Sequence, residues 1–328
     1  MEFLGLSLVS IAVFVGFGLL VGVLFGFFGM GGSFLVTPAL LVLGYPAKVA
    51  VGSGLAFVFG TSVVAALRHR THGQIDYKLV ALLTVAMTAG IEVGRRAVVV
   101  LEEFGSAGLV IGVAYITLLA LVGLFTLRDA RQERDEYLGD NLTNRVQTFD
   151  CPPMVSLTGD VRVSVWVILA IGGIVGTLSG FLGVGGGFLL LPAMLYGLGV
   201  PAGIAVGTDI LQITVSGAFG AFVYARTGAV SLPVVSLLLV GSALGARIGA
   251  GASTLVDEDV IKEYFAAVLL VGSLAVALKK LSALLGVEPL HTASIVLIFG
   301  AAIAASAAVV ITAIGRARVS ASRTPDAS

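Results

Sequence analysis

The chain has 328 residues, 58% of them hydrophobic and only 12% charged, and its 19 basic and 19 acidic side chains cancel. An apolar share above the roughly 45–50% of soluble domains, with about half their usual charge, excludes an ordinary soluble globular protein. The cancelled charge says little about partners, but there is no basic patch to suggest nucleic acid, and the one cysteine, Cys151, excludes an internal disulfide or a cysteine metal cluster.

Taken in order, the chain opens with an apolar segment from about Phe3 to Phe28. It is too long for a signal-peptide core and lacks a basic start and a cleavage site, so a retained membrane helix is expected. Gly29, Gly31 and Gly32 interrupt it, and a short apolar piece, Ser33 to Gly44, follows with Pro38 inside. After a turn at Tyr45–Lys48, Val49 to Leu67 is long enough to cross, and Arg68 to Lys78 forms a basic loop. Leu79 to Leu101 crosses next, carrying Glu92, Arg95 and Arg96 near its end, and Gly108 to Leu127 crosses again. Arg128 to Arg162 is the only long polar stretch; it is expected to start as a solvated helical extension and to lose regular structure at Pro152-Pro153.

The pattern then repeats. Val163 to Phe181 runs into Gly183, Gly185, Gly186 and Gly187, and a short piece with Pro192 leads to the turn at Val200-Pro201. Ile204 to Ala225, Leu232 to Ala250 and Tyr264 to Leu278 are crossings, and Thr292 to Ile314 is an additional helix with no first-half partner. GVLFGFFGMGGSFLVTPALL (Gly22 to Leu41) and GTLSGFLGVGGGFLLLPAML (Gly176 to Leu195) agree at more than half of their positions without a gap. GIEVGRR (Gly90 to Arg96) is echoed by GSALGAR (Gly241 to Arg247). With a mean hydropathy of +1.08, the sequence predicts an all-α polytopic protein of the cell membrane. It is expected to hold two homologous helical repeats, each with a glycine-broken (discontinuous or re-entrant) helix, and an extra C-terminal helix. The expected organisation is a first repeat over 1–127, a linker over 128–162, a second repeat over 163–281 and an extra helix and tail over 282–328. Basic loops favour the cytoplasm, which places the linker there. Parallel and inverted repeats both remain open, as transporters use either.

Unpaired backbone in hydrocarbon costs several kcal/mol per group, so a glycine break is tolerable only against protein or a water-filled cavity. It also creates a helix start whose N–H groups and dipole favour an anion. Equivalent breaks in two halves are the best sequence pointer to a transporter's central site. The expected substrate-binding set is therefore Gly29, Gly31, Gly32 and Ser33 in the first half, with Gly183, Gly185, Gly186 and Gly187 in the second. AVGSGLAFVFGT (Ala50 to Thr61) aligns with AVGTDILQITVS (Ala205 to Ser216), which adds Ser53, Thr208 and Gln212, with Thr61, Ser62, Thr214 and Ser216 as further possible donors. Each hydroxyl could instead bond back to its own helix. Spaced glycines elsewhere, such as Gly22, Gly26, Gly241 and Gly245, suit close helix packing.

Intramembrane charges are suspected of function because they are costly there. Asp209 stands where the first half has Gly54, and is the candidate for coupling to a proton or sodium ion. Glu92 and Arg96 are spaced for an ion pair on one helix. Arg247, the counterpart of Arg96, is either an anion-attracting group or a snorkelling residue at the interface. The three histidines, His69, His72 and His291, are scattered, so no metal site and no cofactor are expected.

The doubled G-F-x-G-x-G-G-G-x-x-x-x-P-A-x-L pattern, followed by A-V-G-[ST] and G-x-x-x-G-x-R, resembles the TauE/SafE family of membrane transporters. The likeness covers nearly the whole chain, with Ser33 replacing the last glycine in the first copy. It implies a secondary transporter for sulfite or an organosulfonate, driven by an ion gradient. A passive anion channel, or a permease for another oxyanion or a carboxylate, is the alternative. No enzyme is expected, because the intramembrane ionisable groups form no acid, base or nucleophile constellation.

Overall fold

The computed structural model describes residues 2–3, 6–28, 33–69, 75–131, 152–158, 162–253, 255–256 and 258–321. Eleven helices carry the described chain: α1 Leu8–Phe28, α2 Ser33–Val42, α3 Ala47–His69, α4 Tyr77–Glu103, α5 Ala107–Arg131, α6 Val165–Leu182, α7 Gly187–Pro192, α8 Ala202–Ala225, α9 Leu232–Ser253, α10 Glu258–Leu285 and α11 Glu288–Ala321. A turn of π-helix, Ala193–Gly197, extends α7. Nine of these helices are long and apolar enough to cross a membrane, and α2 and α7 are too short. The protein is thus an all-α, multi-pass membrane protein.

The linker region contains what the double proline concealed. Strands β3 (Met154–Ser156) and β4 (Arg162–Ser164) pair antiparallel with Val155 opposite Val163. They follow the N-terminal strands β1 (Glu2–Phe3) and β2 (Leu6–Ser7), which also pair antiparallel.

The chain forms two compact units. The first comprises Met1–Gly44, Gly112–Glu133 and Ser236–Ser328. Within it α1 and α9 run parallel: Gly18, Gly22 and Gly26 lie against the backbone of Leu238, Ser242 and Ala246, and Gly241, Gly245 and Gly249 return the contact. A Cβ on Gly22 would stand 2.5 Å from the Ser242 carbonyl oxygen, a distance no side chain tolerates. Small residues at this spacing let helices associate where no hydrophobic effect drives them together. The first unit's part of α5 runs antiparallel to α10, with Gly112 against Lys280, Ser273 Oγ donating to the Ile116 carbonyl at 2.9 Å, and Gly123 against Leu270. Phe28 and Phe34 both meet the ring of Phe265 edge-on.

The second unit comprises Tyr45–Ile111 and Arg134–Val235. Here α4 and α6 make the same kind of parallel glycine contact. Gly176 and Gly180 lie against the backbone of Met87 and Ile91, and Gly90 and Gly94 return it against Gly173 and Thr177. Helices α3 and α8 run antiparallel, with Gly52 against Tyr224, Leu55 against Gly220 and Phe59 against Gly217. A buried apolar cluster joins Leu83 and Met87 of α4, Val175 of α6, Leu190 of α7, Met194 of the π-turn and Ala205 of α8.

Candidate functional site

The second glycine cluster is a complete interruption of the helix. Helix α6 ends at Leu182, Gly183 is left-handed at φ 77°, and Gly185 and Gly186 follow at 71° and 84° before α7 begins at Gly187. An L-residue resists that conformation by roughly 1–2 kcal/mol at each position, which is why three glycines stand there. The stretch is buried and tightly held. A Cβ on Gly186 would lie 2.7 Å from Met87 Cε, and one on Gly185 would overlap Val58. The break is therefore wedged between α3 and α4. One end of it is sealed by Tyr224, whose buried hydroxyl donates to the Gly180 carbonyl at 2.6 Å. The first cluster, Gly29, Gly31 and Gly32, lies outside the described residues, as does the side chain of Ser33.

Helix α8 supplies the polar side chains. At about 100° per residue, Gly217, Gly220 and Tyr224 form the stripe that meets α3, and Thr208 projects toward α4. Between them lies a third stripe, Ala205, Asp209, Gln212 and Ser216, every member of which is buried. Ala205 belongs to the cluster formed with α4 and α7. The third stripe thus faces the space between α3 and α4 that holds the break. Depth along α8 follows from the contacts: Val58 touches Gly185, and its neighbour Phe59 touches Gly217. With Gly217 marking the level of the break, at 1.5 Å per residue Ser216 lies within about 2 Å of it, Gln212 about 8 Å and Asp209 about 12 Å away. The glycines and Asp209 share one unit but stand at different depths, with Gln212 between them.

The hydroxyls are mostly occupied. Thr61 donates to the carbonyls of Phe57 and Val58, Ser62 to Phe59, Thr214 to Ile210 and Ser216 to Ile213, so all four bond back to their own helices. Ser53 and Thr208 take another part. Ser53 Oγ accepts the Ser231 N–H at 3.0 Å, and Thr208 Oγ1 accepts the Asp76 N–H at 3.1 Å. Each ties the residue just before a helix, α9 or α4, to α3 or α8. Because α3 and α8 are antiparallel, these two aligned hydroxyls sit at opposite ends of the unit. By contrast Asp209 Oδ1 and both polar atoms of Gln212 are buried and find no hydrogen-bond partner among the described residues; Ser179 Oγ on α6, whose Cβ is 4.0 Å from where a Gly186 side chain would begin, finds none either. A buried polar atom left unpaired costs about 1–3 kcal/mol, so such a group calls for a role.

Residues 14–276 match the family described as Sulfite exporter TauE/SafE. The chain belongs to the TauE/SafE family. The "Probable membrane transporter protein" of Xylella fastidiosa is 27% identical over 247 residues, 74% of this chain and 85% of the relative. The "Probable membrane transporter protein YjnA" of Bacillus subtilis is 28% identical over 264 residues, 78% of this chain and 96% of the relative. The same organism's "Probable membrane transporter protein YunE" is 25% identical over 249 residues, covering 74% and 88%. No solved structure matches the chain. The protein is a TauE/SafE membrane transporter.

Of the other charges singled out in the sequence of this TauE/SafE protein, Glu92 and Arg96 are paired and Arg247, on α9, is exposed. Glu92 takes two hydrogen bonds from Arg95 (2.8 and 2.7 Å) and one from Arg96 (2.8 Å), so the neighbour at three residues is its stronger partner. The residue that sequence reading passed over is Asp76, grouped there with a basic loop. It caps α4, its Oδ1 accepting the N–H groups of Lys78 and Leu79, while its Oδ2 accepts the Thr158 N–H of the linker hairpin at 2.6 Å. Burial alone pushes the Asp76 carboxyl up, but the bonds from Thr158, Leu79 and Lys78 outweigh it and hold the group below the usual carboxylate range. An aspartate directly before an apolar helical run was the available signal.

Proposed function

We propose that this protein is an ion-gradient-coupled secondary transporter for a small sulfur-containing anion, sulfite or an organosulfonate. The observation that carries the proposal is the buried stripe of Asp209 and Gln212, whose Oδ1 and amide atoms find no partner among the described residues, on the face of α8 that meets α3 and α4 beside a glycine break, in a TauE/SafE chain. The family's description as a sulfite exporter supports the choice of substrate class. Gly185, Gly186 and Gly187 form the anion-facing backbone, the Gly183 N–H being bonded to the Ser179 carbonyl at the end of α6, and Gln212 donates to the anion. Asp209 binds the coupling ion, a proton or sodium. Ser53 and Thr208 hold the starts of α9 and α4 through their hydroxyl oxygens, and each keeps an O–H that can donate to the substrate. Gly29, Gly31, Gly32 and Ser33 carry the same anion-binding proposal on sequence alone. The antiparallel course of α3 and α8, and of α5 and α10, which hold corresponding places in the two halves, supports inverted repeats.

Purified protein challenged with sulfite, sulfate, thiosulfate, sulfoacetate, taurine and simple carboxylates should gain thermal stability from the sulfur anions, since ligands of the folded state raise its stability. Stabilisation by carboxylates alone would replace the substrate class. In proteoliposomes, accumulation of sulfite or sulfoacetate against its own gradient under an imposed proton or sodium gradient is expected. Mere equilibration would identify a passive channel.

A further inference from the structure

Gln212 occupies a position that neither anion binding nor ion binding explains alone. Its amide has one donor end and one acceptor end, and both are buried without a partner among the described residues. It lies on the same face of α8 as Asp209, one turn away, and on the side of Asp209 that leads toward the level of the break. Ser216, the next member of the stripe, turns its hydroxyl back to Ile213, so nothing on α8 between Gln212 and the level of the break offers a further polar group to that space. Thr208, beside Asp209, accepts the Asp76 N–H and keeps only its O–H to offer.

From this geometry we infer that Gln212 is the coupling residue between the two ligands. Its carbonyl oxygen joins Asp209 Oδ1 in holding a small cation, and its amide nitrogen donates to the oxyanion at Gly185–Gly187. The inference rests on the function proposed above and adds to it a physical link. A primary amide cannot turn its two ends independently. A cation that fixes the oxygen toward Asp209 points the N–H groups at the break, and an anion that fixes the N–H groups points the oxygen at the cation. Each ligand therefore prepays the ordering of the side chain for the other, which is positive cooperativity of a reciprocal kind. The carboxamide is suited to this task because it presents a hard oxygen and a donor about 2 Å apart on one rigid plane. Neither a hydroxyl nor a carboxylate offers both ends in fixed opposition.

The test is a double titration of detergent-purified protein. The apparent affinity for sulfite, and separately for sulfoacetate, is measured with sodium exchanged for choline at fixed pH, and then across pH at fixed low sodium. The two arms identify which cation is bound. In the wild type the effective cation should tighten the anion by about ten-fold, within the span usual for coupled sites, and the anion should tighten the cation by the same factor. Gln212→Met, close in size and without hydrogen-bonding ends, should bring that factor to one while leaving each ligand able to bind alone. Gln212→Glu, which keeps the oxygens and loses the donor, should hold the cation and weaken the anion. An unchanged coupling factor in folded Gln212→Met, or unchanged anion affinity in Gln212→Glu, overturns the inference. Gly186→Leu and Asp209→Asn separate the two readings: they should remove the anion and the cation respectively. If both bind both ligands as the wild type does, or if neither anion binds the wild type, the underlying site reading fails and takes the link with it.

Discussion

One hydrogen bond occurs twice in the second unit, and the two copies are not equal. At one end of the α3–α8 pair Ser53 accepts the N–H of Ser231; at the other, Thr208 accepts the N–H of Asp76. The sequence repeats align Ser53 with Thr208, and each bonds the residue that precedes α9 or α4. Around this shared tie the ends diverge. Asp76 spends its carboxylate on three further N–H groups and anchors the linker hairpin. Thr208 is followed by Asp209, whereas Ser53 is followed by Gly54. The tie is duplicated, but only at the linker end does it carry a buried carboxylate on each side, Asp76 and Asp209. The same hydroxyl-to-N–H tie precedes a helix at both ends, and the residue after the hydroxyl, Gly54 or Asp209, is what differs.

The comparison can be broken in several places. The largest effect is expected between the ends, at the break. Gly186→Leu forces a branched side chain into a left-handed position against Met87, and flux in proteoliposomes should fall to background while membrane insertion, read by protease protection, persists. Asp209→Asn comes next: anion flux should lose its proton or sodium dependence, and an undiminished dependence would remove Asp209 from coupling. Matched removal of the two ties sharpens the contrast. Ser53→Ala and Thr208→Val each leave a buried N–H unpaired and should each cost about 1–3 kcal/mol of stability, measured in denaturant, but Thr208→Val should also shift the cation dependence of transport because Asp209 is adjacent. The smallest effect concerns pH. The Asp76 carboxyl is held below its ordinary range, so its contribution is present above about pH 4, the ordinary aspartate value, and is lost as pH falls through the lower folded value. The Tm advantage of wild type over Asp76→Asn should therefore shrink on acidification, and an advantage that grows would reverse the assignment.

Much of this fold is legible in the sequence because membrane helices declare themselves by length and composition. The glycines of α1, α4, α6 and α9 were legible as packing residues because their four-residue spacing has a single geometric meaning on a helix. The direction of α3 relative to α8 was not, since it depends on whether the short helices α2 and α7 return or continue, and short apolar pieces are silent on that. The parts taken by Ser53 and Thr208 were equally hidden, for their partners lie 178 and 132 residues away. Asp209 and Gln212 stood out as polar residues in an apolar run. That they share a stripe could be counted from the sequence, but the face it meets could be read only once α3 and α4 had taken their places beside α8.

The glycine seams also bear on how the molecule is made. Helix α1 fits α9, and α4 fits α6, so each seam joins a helix from the first repeat to one from the second. When the ribosome has completed only the first repeat, neither α1 nor α4 has its mate, and both grooved faces stand open in the bilayer. A half-length product would carry both glycine faces without the helices that fill them. The present chain carries both sides of each seam in one polypeptide, so neither seam can close before the second repeat has been made.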